Sequence, residues 1–259
     1  MIGIFDAGIS GLLLLEKLEL LLPGCPFIYY GDSAFSPYGA KPAEVISERC
    51  RKGCDFLINH GAKIIVLACH TTSAVIGHTL HRHLSVPVLE MVQPVVKEAI
   101  KTSRGKRVGV IGTKTTIESG AYQTALKRLD TACVVHAKAC PLLVPLIEEG
   151  WRNKRETKMI VRRYLHPLKR MQVDTLIPAC NHYELIYSLI RPRIGKKTQL
   201  INPFATLAAE ISSHALVESL ATPAADGVQL QQFFVTSRTD HLVKSVNDYF
   251  NQPLELTQI

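Results

Sequence analysis

The chain has 259 residues, of which 47% are hydrophobic and 20% charged, a globular composition with room for one large domain or two small ones. No uncharged stretch is long enough to span a bilayer, and the early apolar run from Leu12 to Leu22 is broken by Glu16, Lys17 and Glu19, which suits an amphipathic helix and not a secretory leader. Seven cysteines scattered without a paired C-x-x-C spacing argue for free thiols in a reducing cytoplasmic setting, and the formal charge of +8 is the one unusual bulk property.

Taken in order, Ile2 to Phe5 reads as a short strand ending in the turn Asp6-Ala7-Gly8-Ile9-Ser10-Gly11, followed by a leucine-rich helix to about Leu22. The turn lacks the G-x-G-x-x-G pattern of a dinucleotide site, and Asp6 is open to two readings, a helix cap or a site carboxylate. Pro26 to Tyr30 is a second strand leading into a loop rich in turn formers, Gly31 to Pro42, which carries Pro37, Tyr38 and Gly39. Residues 43 to 60 read as a helix with Cys50 and Cys54 one turn apart; these two, with His78, His81 and His83, match no zinc spacing, so no metal is expected.

The apolar run Ile64 to Ala68 delivers Cys69-His70-Thr71-Thr72-Ser73, and Thr175 to Ala179 delivers Cys180-Asn181-His182 in the same way. Each reads as a buried strand presenting a thiol at its carboxyl end, where open α/β sheets hold ligands. Between them lie a helix near Ser73 to Leu84, a strand Val86 to Val92, and Pro94 as a break and hinge before a helix at 95 to 102. The pattern then restarts with the strand Arg107 to Gly112 and a polar turn through Thr113 and Thr116. Asp6 precedes Cys69 by 63 residues and Thr113 precedes Cys180 by 67, which suggests two related α/β units facing one cleft.

Val134 to Lys138 is a further strand. Residues 151 to 170 hold eight basic side chains against Glu156 alone, a helix face suited to solvent or to an anionic partner. Gln199 to Pro203 reads as a last strand of the second unit, Phe204 to Leu220 as a returning helix, and Gln232 to Val235 as a strand before a terminal helix.

Two thiols aimed at one cleft, with no sign of PLP, flavin or metal chemistry, can invert a carbon centre: one thiolate takes a proton while the opposite thiol gives one to the other face. Such a base needs surroundings that favour the thiolate. Asp6 and His182 are the groups to manage these protons, and the hydroxyls of Thr71, Thr113 and Thr116 can bind the carboxylate where carbanion charge builds up. Each cysteine alone would also suit a buried apolar position; the matched context of the pair favours chemistry.

Together Phe5 to Gly11, Gly31-Asp32-Ser33 with Pro37-Tyr38-Gly39, Ala68 to Thr71, Gly112 to Tyr122, Val144 to Gly150 and Cys180 to Tyr183 resemble glutamate racemase, of the cofactor-independent aspartate/glutamate racemases, over about residues 2 to 215. The resemblance implies two flavodoxin-like α/β domains with mainly parallel sheets and a shared cleft, 1–93 plus 208–259 and 94–207, and production of D-glutamate for peptidoglycan. By position it makes Cys69 and Cys180 the acid/base thiols, Asp6, His182 and Glu148 their helpers, and Pro37, Tyr38, Gly39, Thr71, Thr113 and Thr116 substrate contacts. It also implies a homodimer, and in some members interference with DNA gyrase. Three positions depart from the family pattern: Ala7 stands for serine, His70 for asparagine and Asn181 for threonine. All three fall where the amino acid's polar groups are held, so they bear on the substrate (glutamate, aspartate or another amino acid) and on turnover; loss of catalysis, with binding of an anionic partner through 151–170, is the alternative.

Overall fold

The computed structural model describes residues 1–220, 231–249 and 254–259. Strands Ile2–Asp6 (β1), Phe27–Gly31 (β2), Ile64–Leu67 (β3) and Val88–Glu90 (β4) belong to one parallel sheet. Arg107–Gly112 (β5), Val134–Ala139 (β6), Thr175–Ala179 (β7) and Gln199–Leu200 (β8) form a second, also parallel, in the order β6-β5-β7-β8. The chain then returns. Gln231–Val235 (β9) pairs with β2, and Leu256–Gln258 (β10) pairs with β9, so the first sheet runs β10-β9-β2-β1-β3-β4.

Strands buried on both faces need apolar residues at every position, which is why β1 to β3 read as unbroken hydrophobic runs. On one face Ile2, Ile4, Tyr29, Ile64 and Val66 pack with the helices Leu13–Leu21 and Pro203–Ser212. On the other, Phe5, Ile28, Tyr30, Ile65 and Leu67 meet Ile46, Cys50, Cys54 and Leu57 of the helix Ala43–Asn59. Full burial of each such aliphatic side chain contributes about 2 kcal/mol. Gly53 sets the closeness of this packing: a Cβ there would lie 2.5 Å from the Phe5 ring, so Gly53→Ala would force the helix off the sheet. In the second unit the helices Val92–Thr102 and Ala121–Leu129 cover one face, and Leu143–Glu148, Arg155–Arg170 and Tyr187–Ile194 the other. The helix Arg155–Arg170 buries Thr157, Val161, Leu165 and Leu168, a single stripe at helical spacing, and leaves its charges in solvent.

Several expected boundaries move. The helical stretch after Cys69 begins at His70, not Ser73, and contains a π-turn, Ser73–Gly77, before His78–Leu80. Ser73 fixes it in place: its hydroxyl donates to the Leu67 carbonyl and accepts from the Met91 amide. Pro94 breaks nothing. The helix starts at Val92, and a proline in the first turn lacks only an N–H that would have no intrahelical partner. Glu90 caps that helix by accepting from the amides of Val92 and Gln93, which shortens β4 relative to the predicted 86–92. The last strand of the second unit stops at Leu200 because Asn202 caps the next helix, accepting from Ala205 N at 2.9 Å. The returning helix is two, Pro203–Ser212 and Ala215–Leu220. β10 was not expected. Cys50 and Cys54 lie in the core with sulfurs 3.9 Å apart, whereas His78, His81 and His83 are exposed.

Candidate active site

The carboxyl ends of β1, β3, β5 and β7 converge on one cavity between the two sheets. It is lined by Asp6, Ala7, Gly8, Ser10, Ser36, Pro37, Tyr38, Gly39, Cys69, His70, Thr71, Thr113, Val144, Cys180, Asn181 and His182. Of the predicted site residues, only Thr116 and Glu148 stand back from it, and each contacts a residue that lines it. Thr116 completes a triangle of hydroxyls across the cleft, 3.0 Å from Thr71 and 2.9 Å from Thr113, with Thr71 and Thr113 3.1 Å apart. Glu148, at the end of the helix Leu143–Glu148, places Oε1 3.2 Å from His182 Nε2. The cavity is small, about 30 Å³.

The thiols sit in different surroundings. Cys69 follows β3 at the start of the helical stretch, and burial, reinforced by the Asp6 carboxylate, pushes its thiol up to about 12 although hydrogen bonding by Thr72 opposes this. At neutral pH Cys69 holds its proton. Cys180 follows β7, with His182 Nδ1 3.9 Å from its sulfur and Glu148 behind the ring. Burial alone would lower His182, but the hydrogen bonds to Cys180 and Glu148 outweigh it and raise the imidazole to about 10. Thiol, imidazole and carboxylate thus stand in line on this side, and a proton can pass between sulfur and ring.

Asp6 lines the cavity and ties the turn that follows β1. Its Oδ2 accepts from the amides of Gly8 and Gly11 at 3.0 and 3.1 Å, tying the turn, and from the Tyr29 hydroxyl; its Oδ1 accepts from Asn181 Nδ2 at 3.0 Å. Burial raises its pKa, against the pull of those amides. Tyr38 is anchored through its hydroxyl to the buried Asp32, which also takes a bidentate pair from Arg49 and a bond from Thr236. His70 is buried, and burial lowers it to about 3, so its ring is neutral; Nδ1 meets the Tyr122 hydroxyl.

Sequence reasoning gave no site role to Asp32, Arg49, Tyr29 or Tyr122, although Asp32 and Tyr122 fall in segments that carry the family resemblance. The first two sit in a polar loop and on a helix face, and the tyrosines look like core aromatics. Only the fold shows where their polar ends go.

A profile of the Asp/Glu/Hydantoin racemase family matches residues 17–211. The glutamate racemase of Exiguobacterium sibiricum is 35% identical over 258 residues, 100% of this chain and 95% of the relative. Among solved structures, glutamate racemase isoform RacE1 from Bacillus anthracis superposes with a TM-score of 0.92 at 29% identity, covering 100% of this chain and 97% of that one. The glutamate racemase of Francisella tularensis, in complex with D-glutamate, gives 0.91 at 28% identity, with coverage of 100% and 96%.

Proposed function

We propose that this chain, which belongs to the Asp/Glu/Hydantoin racemase family, interconverts L- and D-glutamate and supplies the D-enantiomer for peptidoglycan. The observation that carries the mechanism is the placement of two thiols from two parallel sheets on one cavity. In the direction where Cys180 is the base, its thiolate takes the α-proton and Cys69 delivers its own to the opposite face; in the reverse direction the roles exchange. His182, protonated at neutral pH and braced by Glu148, faces the sulfur as charge comes and goes, while Asp6 stands beside Cys69. The hydroxyls of Thr71 and Thr113 receive the α-carboxylate, where the carbanion's charge spreads, and closure keeps water from that charge. The units built on the first and second sheets act as the two domains that close, with Pro37, Tyr38, Gly39, Ala7, His70 and Asn181 around the substrate. The helix Pro203–Ser212 belongs to the first of them through Phe204 and Leu207, so the chain rejoins that unit before residue 208.

Solvent deuterium incorporation at the α-carbon of L- and D-glutamate and of L- and D-aspartate tests this, with Cys69→Ala and Cys180→Ala alongside. Exchange with inversion, lost in either variant, is expected for glutamate. Absence of exchange with all four, from folded protein with free thiols, would overturn the reading. The seven free thiols suit a cytoplasmic location, and the implied homodimer is measurable by sedimentation. A second role is favoured by one observation: Lys154, Arg155, Lys158, Arg162, Arg163, Lys169 and Arg170 are exposed and make no ion pair among the described residues. This face suits an anionic partner, and such binding would weaken with salt; interference with DNA gyrase is a separate role that the family resemblance implies.

A further inference from the structure

Two buried polar atoms at the cavity have no partner in the protein: Nε2 of His70 and Oδ1 of Asn181. Both residues line the cavity, and they are 1% and 5% exposed. Buried polar atoms are nearly always bonded, so an unmet one lining a cavity points to a partner brought by the ligand. Asn181 has already committed its Nδ2 to Asp6, and His70 has committed its Nδ1 to Tyr122.

The direction of the second bond fixes the His70 tautomer. Tyr122 is buried, which raises its phenol and keeps it protonated. Its hydroxyl has no other hydrogen bond among the described residues. Were it to accept from Nδ1–H, both its own proton and the Nε2 lone pair would go unmet, against the single unmet Nε2–H left when it donates. Tyr122 therefore donates, Nδ1 accepts, and the imidazole proton sits on Nε2. A neutral N–H suits a carboxylate and cannot accept from an ammonium group. His70 lines the cavity together with Cys69, Thr71 and Thr113, so its N–H is assigned to the α-carboxylate that those hydroxyls are proposed to receive.

We propose that the Nε2–H of His70 donates to the α-carboxylate of the amino-acid substrate, and that Tyr122 is the positioning residue that keeps this proton on Nε2. This rests on the racemase reading above. As the α-proton leaves, charge moves onto that carboxylate and the bond strengthens, so the loss should reach turnover as well as binding.

The test has two arms. Nitrogen-15 NMR of histidine-labelled wild-type protein reads the tautomer directly, with no substrate; the proton is expected on Nε2, and a proton on Nδ1 would overturn the proposal. Racemisation of L- and D-glutamate is then followed for wild type, His70→Ala, His70→Gln and Tyr122→Phe. Loss of a hydrogen bond to a charged group predicts a kcat/KM roughly 10- to 150-fold lower for His70→Ala, part of it recovered by His70→Gln, whose amide can still donate. Tyr122→Phe should shift the tautomer toward a mixture and raise KM several-fold. Wild-type kcat/KM in folded His70→Ala would refute the role of His70. An inactive wild type would instead count against the racemase reading, and the tautomer would still have been measured.

Discussion

Gly39 lies where the loop of the first unit meets the second. A Cβ built on it would stand 2.7 Å from both Cβ and Cγ2 of Thr113. Carbon atoms pack at about 3.5–4.0 Å, so Gly39→Ala demands a displacement of about 1 Å. Thr113 is poorly placed to supply it. Its hydroxyl caps the helix Lys114–Glu118 through the Thr116 amide and lies within hydrogen-bond reach of Thr71 and Thr116. The halves would part instead, stretching the contacts of Thr71 with Thr113 and Thr116, at about 1 kcal/mol each. A loss of about 2 kcal/mol thins the closed population roughly 30-fold, and a 1 Å misplacement of reacting groups can itself cost about 100-fold. Expected is a kcat/KM lower by about 30- to 100-fold in both directions, read by circular dichroism of the two enantiomers, with Tm within a few degrees of wild type because neither core is touched. Wild-type kcat/KM, together with a structure showing the methyl inside a fully closed cleft, would refute this account of closure.

Glu148→Gln removes one of the two groups that raise His182, so NMR titration should place that imidazole well below its wild-type value of about 10 and the alkaline limb of the pH–rate profile should follow it down. Because the folded pKa of His182 exceeds its ordinary 6.5, its stabilising contribution is complete below about 6.5 and disappears as pH rises toward about 10. The stability gap between wild type and His182→Asn should therefore narrow over that window in urea titrations. Asp32→Ala leaves the guanidinium of Arg49 without its buried partner and frees Tyr38, and should cost about 3 kcal/mol by chemical denaturation. His70, neutral from about pH 3 upward, should add no inflection to the activity profile between pH 5 and 9 when wild type and His70→Gln are compared.

The strands were legible because both faces of each sheet are covered, which forces runs such as Ile64 to Leu67 to be wholly apolar. Cys69 and Cys180 stood out because a polar cluster directly after such a run marks a strand's carboxyl end. What the chain could not announce were contacts set by register and closure. Tyr122 reaches His70 across 52 residues, and Tyr29 reaches Asp6 across 23, through hydroxyls on side chains that otherwise sit in the core. Ends of elements were missed where a side chain competed with the backbone pattern, as Glu90 and Asn202 do by capping helices inside predicted strands. β10 escaped because Leu256-Thr257-Gln258 is a short, mostly exposed edge with no apolar run to betray it.

The pairing of β9 with β2 has a bearing on the order of assembly. Phe27 takes its neighbour from Gln231, and Asp32, which anchors Tyr38, takes a bond from Thr236. Chain emerging from a ribosome would have the whole second sheet, which closes at Leu200, available to fold while the first still lacked a neighbour on the outer side of β2. Contacts this distant in sequence also form slowly. The half of the cavity built on β1 and β2 should therefore gain protection late, and a nascent chain shorter than about residue 235 should hold Cys180 in its settled surroundings while Asp32, already paired with Tyr38 and Arg49, still lacks its bond from Thr236. Pulse-labelling hydrogen exchange during refolding would read that sequence of events strand by strand.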